Sequence, residues 1–161
     1  MTAAVRGKYF DDFTVGDVFT TGARTITTTD IVNFACLSGD FNEVHSNWEY
    51  CKDTPFGEPI AHGPLVYSIA AGLAYASGIN DGTLIALLEI SSWTMLEPVR
   101  NGDTIRLEQE VVSVRPTSSG DKGVVSFDRR VTNQHGMIVQ KMNSSYLYRR
   151  DPALVPAPGH A

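Results

Sequence analysis

Cysteine is scarce in this chain of 161 residues: Cys36 and Cys51 stand alone, too few for a disulfide framework and without the spacing of a zinc knuckle or redox pair. A reducing cytosol is the expected setting. Long apolar runs are missing too. Nowhere do eighteen uncharged apolar residues follow one another, and Met1 to Phe13 mixes charge with apolar residues, so neither a membrane-spanning helix nor a secretory leader is expected. With no leader expected, the acceptor-like Asn143-Ser144-Ser145 carries no weight as a glycosylation site. Basic residues are in the minority, thirteen Lys and Arg against eighteen Asp and Glu for a formal charge of -5, and apart from Arg129-Arg130 and Arg149-Arg150 the arginines are scattered. That balance argues against nucleic acid as a partner. Internal repeats and a dividing linker are also absent.

What remains is a globular composition, 42% hydrophobic and 19% charged, in a length that suits one core. A single domain is expected over 9–149, with 1–8 and 150–161 as loose termini, the second marked by Pro152, Pro156 and Pro158. Tyr9, Phe10 and Phe13 are expected to pin the first segment to the body. Val18 to Thr27, rich in Thr, reads as a strand, and Thr28 or Thr29 caps a helix over Asp30 to Leu37 that Ser38-Gly39 ends. A longer helix follows Pro64. Its Leu65 to Ser77 run is apolar nearly all round, which predicts burial, and the small Ala70, Ala71, Gly72, Ala74 and Ala76 let a sheet approach.

From Leu84 onward the pattern has period two. Leu84 to Met95, Asp103 to Arg115, Gly123 to Asn133 and Met137 to Arg149 read as antiparallel strands parted by Asn101-Gly102, Ser118-Ser119-Gly120 and His135-Gly136. In the second of these Ile105, Leu107 and Val111 face away from Arg106, Glu108 and Glu110, so one side of the sheet needs an apolar cover. Only the Leu65 helix is apolar enough to supply it. The fold class that follows is α+β, an antiparallel sheet of about five strands wrapped around a long central helix.

Between the two helices lies the stretch with chemistry. Asp40 precedes His45 by five residues on a loop, and Ala61-His62-Gly63-Pro64 opens the buried helix. A carboxylate beside an imidazole moves protons near neutral pH, and free N–H groups at a helix start hold a developing negative charge. Gly63 offers an N–H with no side chain in the way, whereas Pro64 has none, so the donor is Gly63 alone or with Leu65. Singly, Asp40 and Asn42 read as turn formers and His45 as a loop histidine; it is the pairing that points to catalysis. His62 together with His45 and Asp40 matches no usual metal-ligand spacing, so no metal is expected. Trp93 and Met95 read as strand core, with the lining of a substrate pocket as the second reading, Cys51 as packed beneath the loop, and Glu43 and Glu58 as solvated charges.

The segments Asp40-Phe41-Asn42-Glu43-Val44-His45, Phe56-Gly57 and Pro59-Ile60-Ala61-His62-Gly63, in this order, with Leu96 to Asp103 more weakly, resemble the MaoC-like hotdog family that includes the R-specific enoyl-CoA hydratases. The resemblance covers Tyr9 to Arg149. It implies a hotdog fold and the reversible addition of water to a trans-2-enoyl thioester, giving the (R)-3-hydroxyacyl thioester in fatty-acid metabolism. Asp40 and His45 are then the catalytic dyad, with Gly63 and Asn42 at the thioester. The implied partner is an acyl-CoA, coenzyme A entering only as part of the substrate and no separate cofactor being needed. A homodimer or higher homo-oligomer, in which two hotdogs make one continuous sheet, is implied as well. In one respect the chain departs from the family: the serine found on the buried helix of the better-known hydratases falls at Ala71, with Ser68 one turn earlier. Arg100 and Arg106 are candidates for the phosphates of coenzyme A. The same dyad also fits dehydration on an acyl-carrier protein. A hotdog thioesterase or a non-catalytic acyl-CoA-binding subunit would share the fold, and the presence of both Asp40 and His45 counts against the non-catalytic subunit.

Overall fold

The computed structural model describes residues 7–155. A single turn of 3-10 helix at Phe10–Asp12 leads into β1 (Val18–Thr25), α1 (Thr28–Ser38), the short helices α2 (Glu43–Ser46) and α3 (Trp48–Lys52), and the long α4 (Gly63–Ala76). β2 (Leu84–Met95), β3 (Thr104–Pro116), β4 (Lys122–Thr132) and β5 (Ile138–Arg149) follow. All five strands form one antiparallel sheet in the order β1-β3-β4-β5-β2. It packs against α4, which buries Leu65, Val66, Ile69, Ala70 and Ala74 beside Ile105, Leu107, Val131, Val139 and Met142 of the sheet. This is the hotdog arrangement, in the α+β class.

Local chemistry explains most element ends. The cap of α1 is Thr27, one residue ahead of the expected Thr28 or Thr29. Its hydroxyl accepts the Asp30 N–H at 3.2 Å while the Asp30 carboxylate accepts the Thr27 N–H at 2.9 Å, a reciprocal capping box. Gly39 ends the helix in the left-handed region at φ 78°, open to glycine without a Cβ penalty. At the far end of the sheet Phe10 and Phe13 join Val111, Phe127 and Tyr148 in a second apolar cluster, which is the expected pin.

Two expectations need correction. α4 is not buried all round: Pro64, Ser68, Gly72 and Tyr75 form an exposed stripe, and a Cβ placed on Gly72 meets nothing within 4 Å. Ala70 and Ala74, rather than Gly72 and Ala76, are therefore the small residues that admit the sheet. The domain also reaches beyond 9–149. Gly7 and Lys8 donate main-chain hydrogen bonds to Asp81 and Ile79, and Arg150 pairs with Asp11 at 2.6 Å while the Asp151 N–H donates to the same carboxylate. Of the termini expected to be loose, residues 1–6 and 156–161 lie outside the described residues.

β1 and β2 are the sheet edges. β2 breaks register with β5 three times and leaves Ile85 and Leu88 exposed, an apolar edge.

Candidate active site

The left-handed Gly39 releases the chain from α1 directly before Asp40. One Asp40 carboxylate oxygen accepts the Asn42 N–H at 3.2 Å, and the Asn42 side-chain oxygen accepts the Val44 N–H at 3.4 Å. Asn42 thereby caps α2, so His45 stands on a short helix and not on the plain loop expected. The Ile60 N–H donates to the Val44 carbonyl at 3.1 Å, which lays residues 60–63 beside α2. Beneath α2, the Cys51 sulfur is buried 3.5 Å from the Glu43 carbonyl, as expected.

The tautomer of His45 follows from its partner. Its Nδ1 lies 2.7 Å from the Ile60 carbonyl, which only accepts, so Nδ1 carries the hydrogen and Nε2 keeps a bare lone pair. Partial burial pushes the His45 pKa below the ordinary histidine value, and the neighbouring His62 pushes the same way, against the Ile60 hydrogen bond and the Asp40 charge. At neutral pH the ring is a base.

His62 is the residue that sequence reasoning set aside. It is 1% exposed, its Nε2 donates to the main-chain carbonyl of Asp40 at 2.9 Å, and its Nδ1 is buried without a partner among the described residues. Its ring stacks on His45 at 3.8 Å and meets Phe34 at 5.1 Å. One side-chain polar atom from each of Asp40, His45 and His62 lies within 4.8 Å of the other two. The signal available beforehand was the position of His62 immediately before the helix start.

Gly63 is the first residue of α4 and Pro64 the second. As a first-turn group, the Gly63 N–H has no carbonyl of its own helix to pair with. The Gly63 carbonyl accepts from Gln140 Nε2 at 2.9 Å, and the Gln140 oxygen accepts the Trp93 indole N–H at 3.2 Å, so two sheet strands hold the helix start in place. A Cβ on Gly63 would lie 2.5 Å from Met95 Cε. A cavity of about 310 Å³ opens here, lined among others by His45, Ile60, Gly63, Val66, Met95 and Gln140. Met95 follows its second reading and not the core reading: it lines this cavity and is half exposed, and Gln140 was not foreseen at all. The Ser68 hydroxyl is turned back onto the Pro64 carbonyl at 2.8 Å on the exposed stripe. Glu58, read as a solvated charge, sits 3.5 Å from Arg100, which also reaches the Phe56 carbonyl.

A family model described as MaoC like domain matches residues 12–134. The chain belongs to the MaoC-like family. Protein MaoC of Klebsiella aerogenes is 41% identical over 100 residues, which are 62% of this chain but 29% of that protein, so the MaoC-like chain spans less than a third of this relative. The (R)-specific enoyl-CoA hydratase of Aeromonas caviae is 32% identical over 109 residues, 68% of this chain and 76% of that enzyme. In three dimensions the MaoC-like fold matches the X-ray structure of the monoamine oxidase regulatory protein from Archaeoglobus fulgius with a TM-score of 0.84 at 37% identity, over 91% of this chain and 97% of that one. No helix among the described residues is long and apolar enough to cross a membrane.

Proposed function

We propose that this MaoC-like protein is a hydratase that adds water reversibly to a trans-2-enoyl thioester of coenzyme A, giving the (R)-3-hydroxyacyl thioester. The observation that carries the reading is the neutral His45, which lines a cavity with the start of α4 and has a ring nitrogen within 4.8 Å of an Asp40 carboxylate oxygen. Groups this far apart are bridged by one water. In the forward direction the water oxygen bonds to the β-carbon, and the π electrons move toward the thioester carbonyl. The proton leaving the water passes to the Asp40/His45 dyad, which returns it to the α-carbon as the carbonyl re-forms. Atoms balance as one added water. The negative charge that builds on the thioester oxygen meets the Gly63 N–H, alone or with that of Leu65. Asn42 serves the site by shaping the α2 loop, and His62 is a positioning residue that holds the main chain of Asp40.

A homodimer completes this reading, joined along the exposed β2 edge so that two sheets run on as one. The test is a panel of enoyl-CoAs of varied length, followed by loss of enone absorbance and by thiol release. Loss of absorbance without free thiol is expected. Thiol release in step with the loss of absorbance would replace the hydratase reading with a thioesterase, and neither signal with any thioester would remove both.

A further inference from the structure

Eight residues beyond Gly63, about 12 Å along the α4 axis at 1.5 Å per residue, Ala71 helps to line a second cavity. It has a volume of about 390 Å³ and lies between α4, β2 and the inner face of the sheet, with Ala74, Leu84 and Leu87 as its apolar lining and Tyr75 at its exposed rim. Arg129 also lines it. This arginine is 1% exposed on the inward face of β4, in the alternating row that holds Phe127 and Val131. A guanidinium keeps its charge at any working pH.

Every ion pair among the described residues leaves Arg129 out. The nearest carboxylate in sequence, Asp128, points to the other face of β4, where Arg130 and Lys141 engage it at 2.7 and 3.6 Å. The Arg129 side chain donates to the Tyr146 hydroxyl, its Nε–H has no partner among the described residues, and the rings of Tyr67 and Tyr146 lie 5.9 and 5.5 Å from its guanidinium carbon. Aromatic faces compensate a buried cation only in part, and burial without a counter-charge is costly. Burial pushes the Tyr146 phenol up to about 12, so the hydroxyl that accepts from Arg129 still has a proton to donate.

We infer that Arg129 is the counter-charge for the far end of the acyl chain: the preferred substrate is an enoyl thioester whose chain ends in a carboxylate. The thioester end rests on the hydratase reading above; the carboxylate end rests on Arg129 and its cavity. The chain enters past Val66 and Met95 in the first cavity. It passes Tyr67, which falls between the two cavities along α4 with its ring 5.4 Å from Trp93, and its methylenes meet the apolar lining of the second. A carboxylate there takes two parallel N–H bonds from the guanidinium fork, or one with the Tyr146 hydroxyl as second donor. A methyl end leaves the cation as it is, buried and unmatched.

The experiment compares trans-2-enoyl-CoAs ending in methyl with matched chains ending in carboxylate, over a series of lengths, on the wild type, Arg129→Lys and Arg129→Met. At the length that reaches the second cavity, the wild type is expected to favour the carboxylate end in kcat/KM by at least about tenfold, the scale of a hydrogen bond between charged groups. Arg129→Lys keeps part of that preference, and Arg129→Met reverses it. Calorimetric binding of saturated acyl-CoA and ω-carboxyacyl-CoA to the wild type decides the matter without turnover, whether or not Arg129→Met folds. Tighter binding of the ω-carboxy thioester by a protein that hydrates nothing leaves the subsite standing and removes the hydratase reading. Equal binding of the two, or a wild type that prefers methyl ends at every length, overturns the inference.

Discussion

The imidazole rings of His45 and His62 stack 3.8 Å apart with 29° between their planes, and each gives one N–H to a main-chain carbonyl, His45 to Ile60 and His62 to Asp40. Two cations in so close a stack repel, which adds to burial in keeping His45 neutral, with Nε2 as its bare nitrogen.

The pH dependence follows from His45. Its folded pKa lies below the ordinary 6.5, mainly through burial, so hydration is expected to hold steady through neutral pH and to decline only once the pH passes below that lowered value. Stability carries the same sign. The unfolded chain takes up the proton first, so the contribution of neutral His45 is complete above 6.5 and is lost as pH falls through the folded value. Thermal midpoints of the wild type and His45→Gln measured across this window check it, the variant being expected to lose less on acidification. Partial burial opposes ionisation of Asp11 and Asp30, but Arg150 and the Asp151 N–H hold Asp11, and the Thr27 hydroxyl and N–H with Arg24 hold Asp30, below the ordinary carboxylate value, so both act only at more acid pH. An acid limb of the rate at or above 6.5 contradicts the assignment.

His62→Phe keeps a ring against Phe34 and removes both the donor to Asp40 and the imidazole neighbour that helps to hold the His45 pKa down. The acid limb of the rate is expected to move to higher pH, and stability to fall by about 1 kcal/mol, the usual net worth of one hydrogen bond. A pH–rate profile with a denaturant melt reads both. No movement in either sets His62 aside as a positioning residue.

Metal removal is expected to leave turnover unchanged, although Asp40, His45 and His62 gather their polar atoms within 4.8 Å of one another. Proton transfer by the dyad with an N–H-lined oxyanion site needs no Lewis acid. Activity lost to a chelator and restored by zinc would turn this cluster into a metal centre.

In light scattering the protein is expected at twice the 17.5 kDa of one chain or at a multiple of that. Leu88→Glu, on the outward face of the β2 edge, is expected to shift it toward the single chain. A fully active monomer in the wild type defeats the shared sheet.

The strands were legible because alternation is local: β2 spans the Leu84 to Met95 read from the pattern, and the other three late strands differ by a residue at their ends. The same parity puts Arg129 with Phe127 and Val131 on the inner face, yet as half of an Arg129-Arg130 pair it reads as surface charge until the sheet is seen. The exposed stripe of α4 was illegible because Gly72 and Tyr75 differ too little in polarity from their buried neighbours. His62 meets His45 only after the Ile60 to Val44 hydrogen bond folds the chain back, a contact that no residue pattern announces. That Asp40 and His45 come together, with Gly63 on the His45 cavity, was legible because all three stand within a short stretch that ends at a proline-started helix.

The measurement that bears most directly on the proposed dyad is kcat/KM for a trans-2-enoyl-CoA with the wild type, Asp40→Asn and His45→Gln, each shown to be folded by its thermal midpoint. Each substitution is expected to lower turnover by at least about 10²-fold, the scale of a positioned acid or base. Near-normal turnover in either folded variant would contradict the dyad.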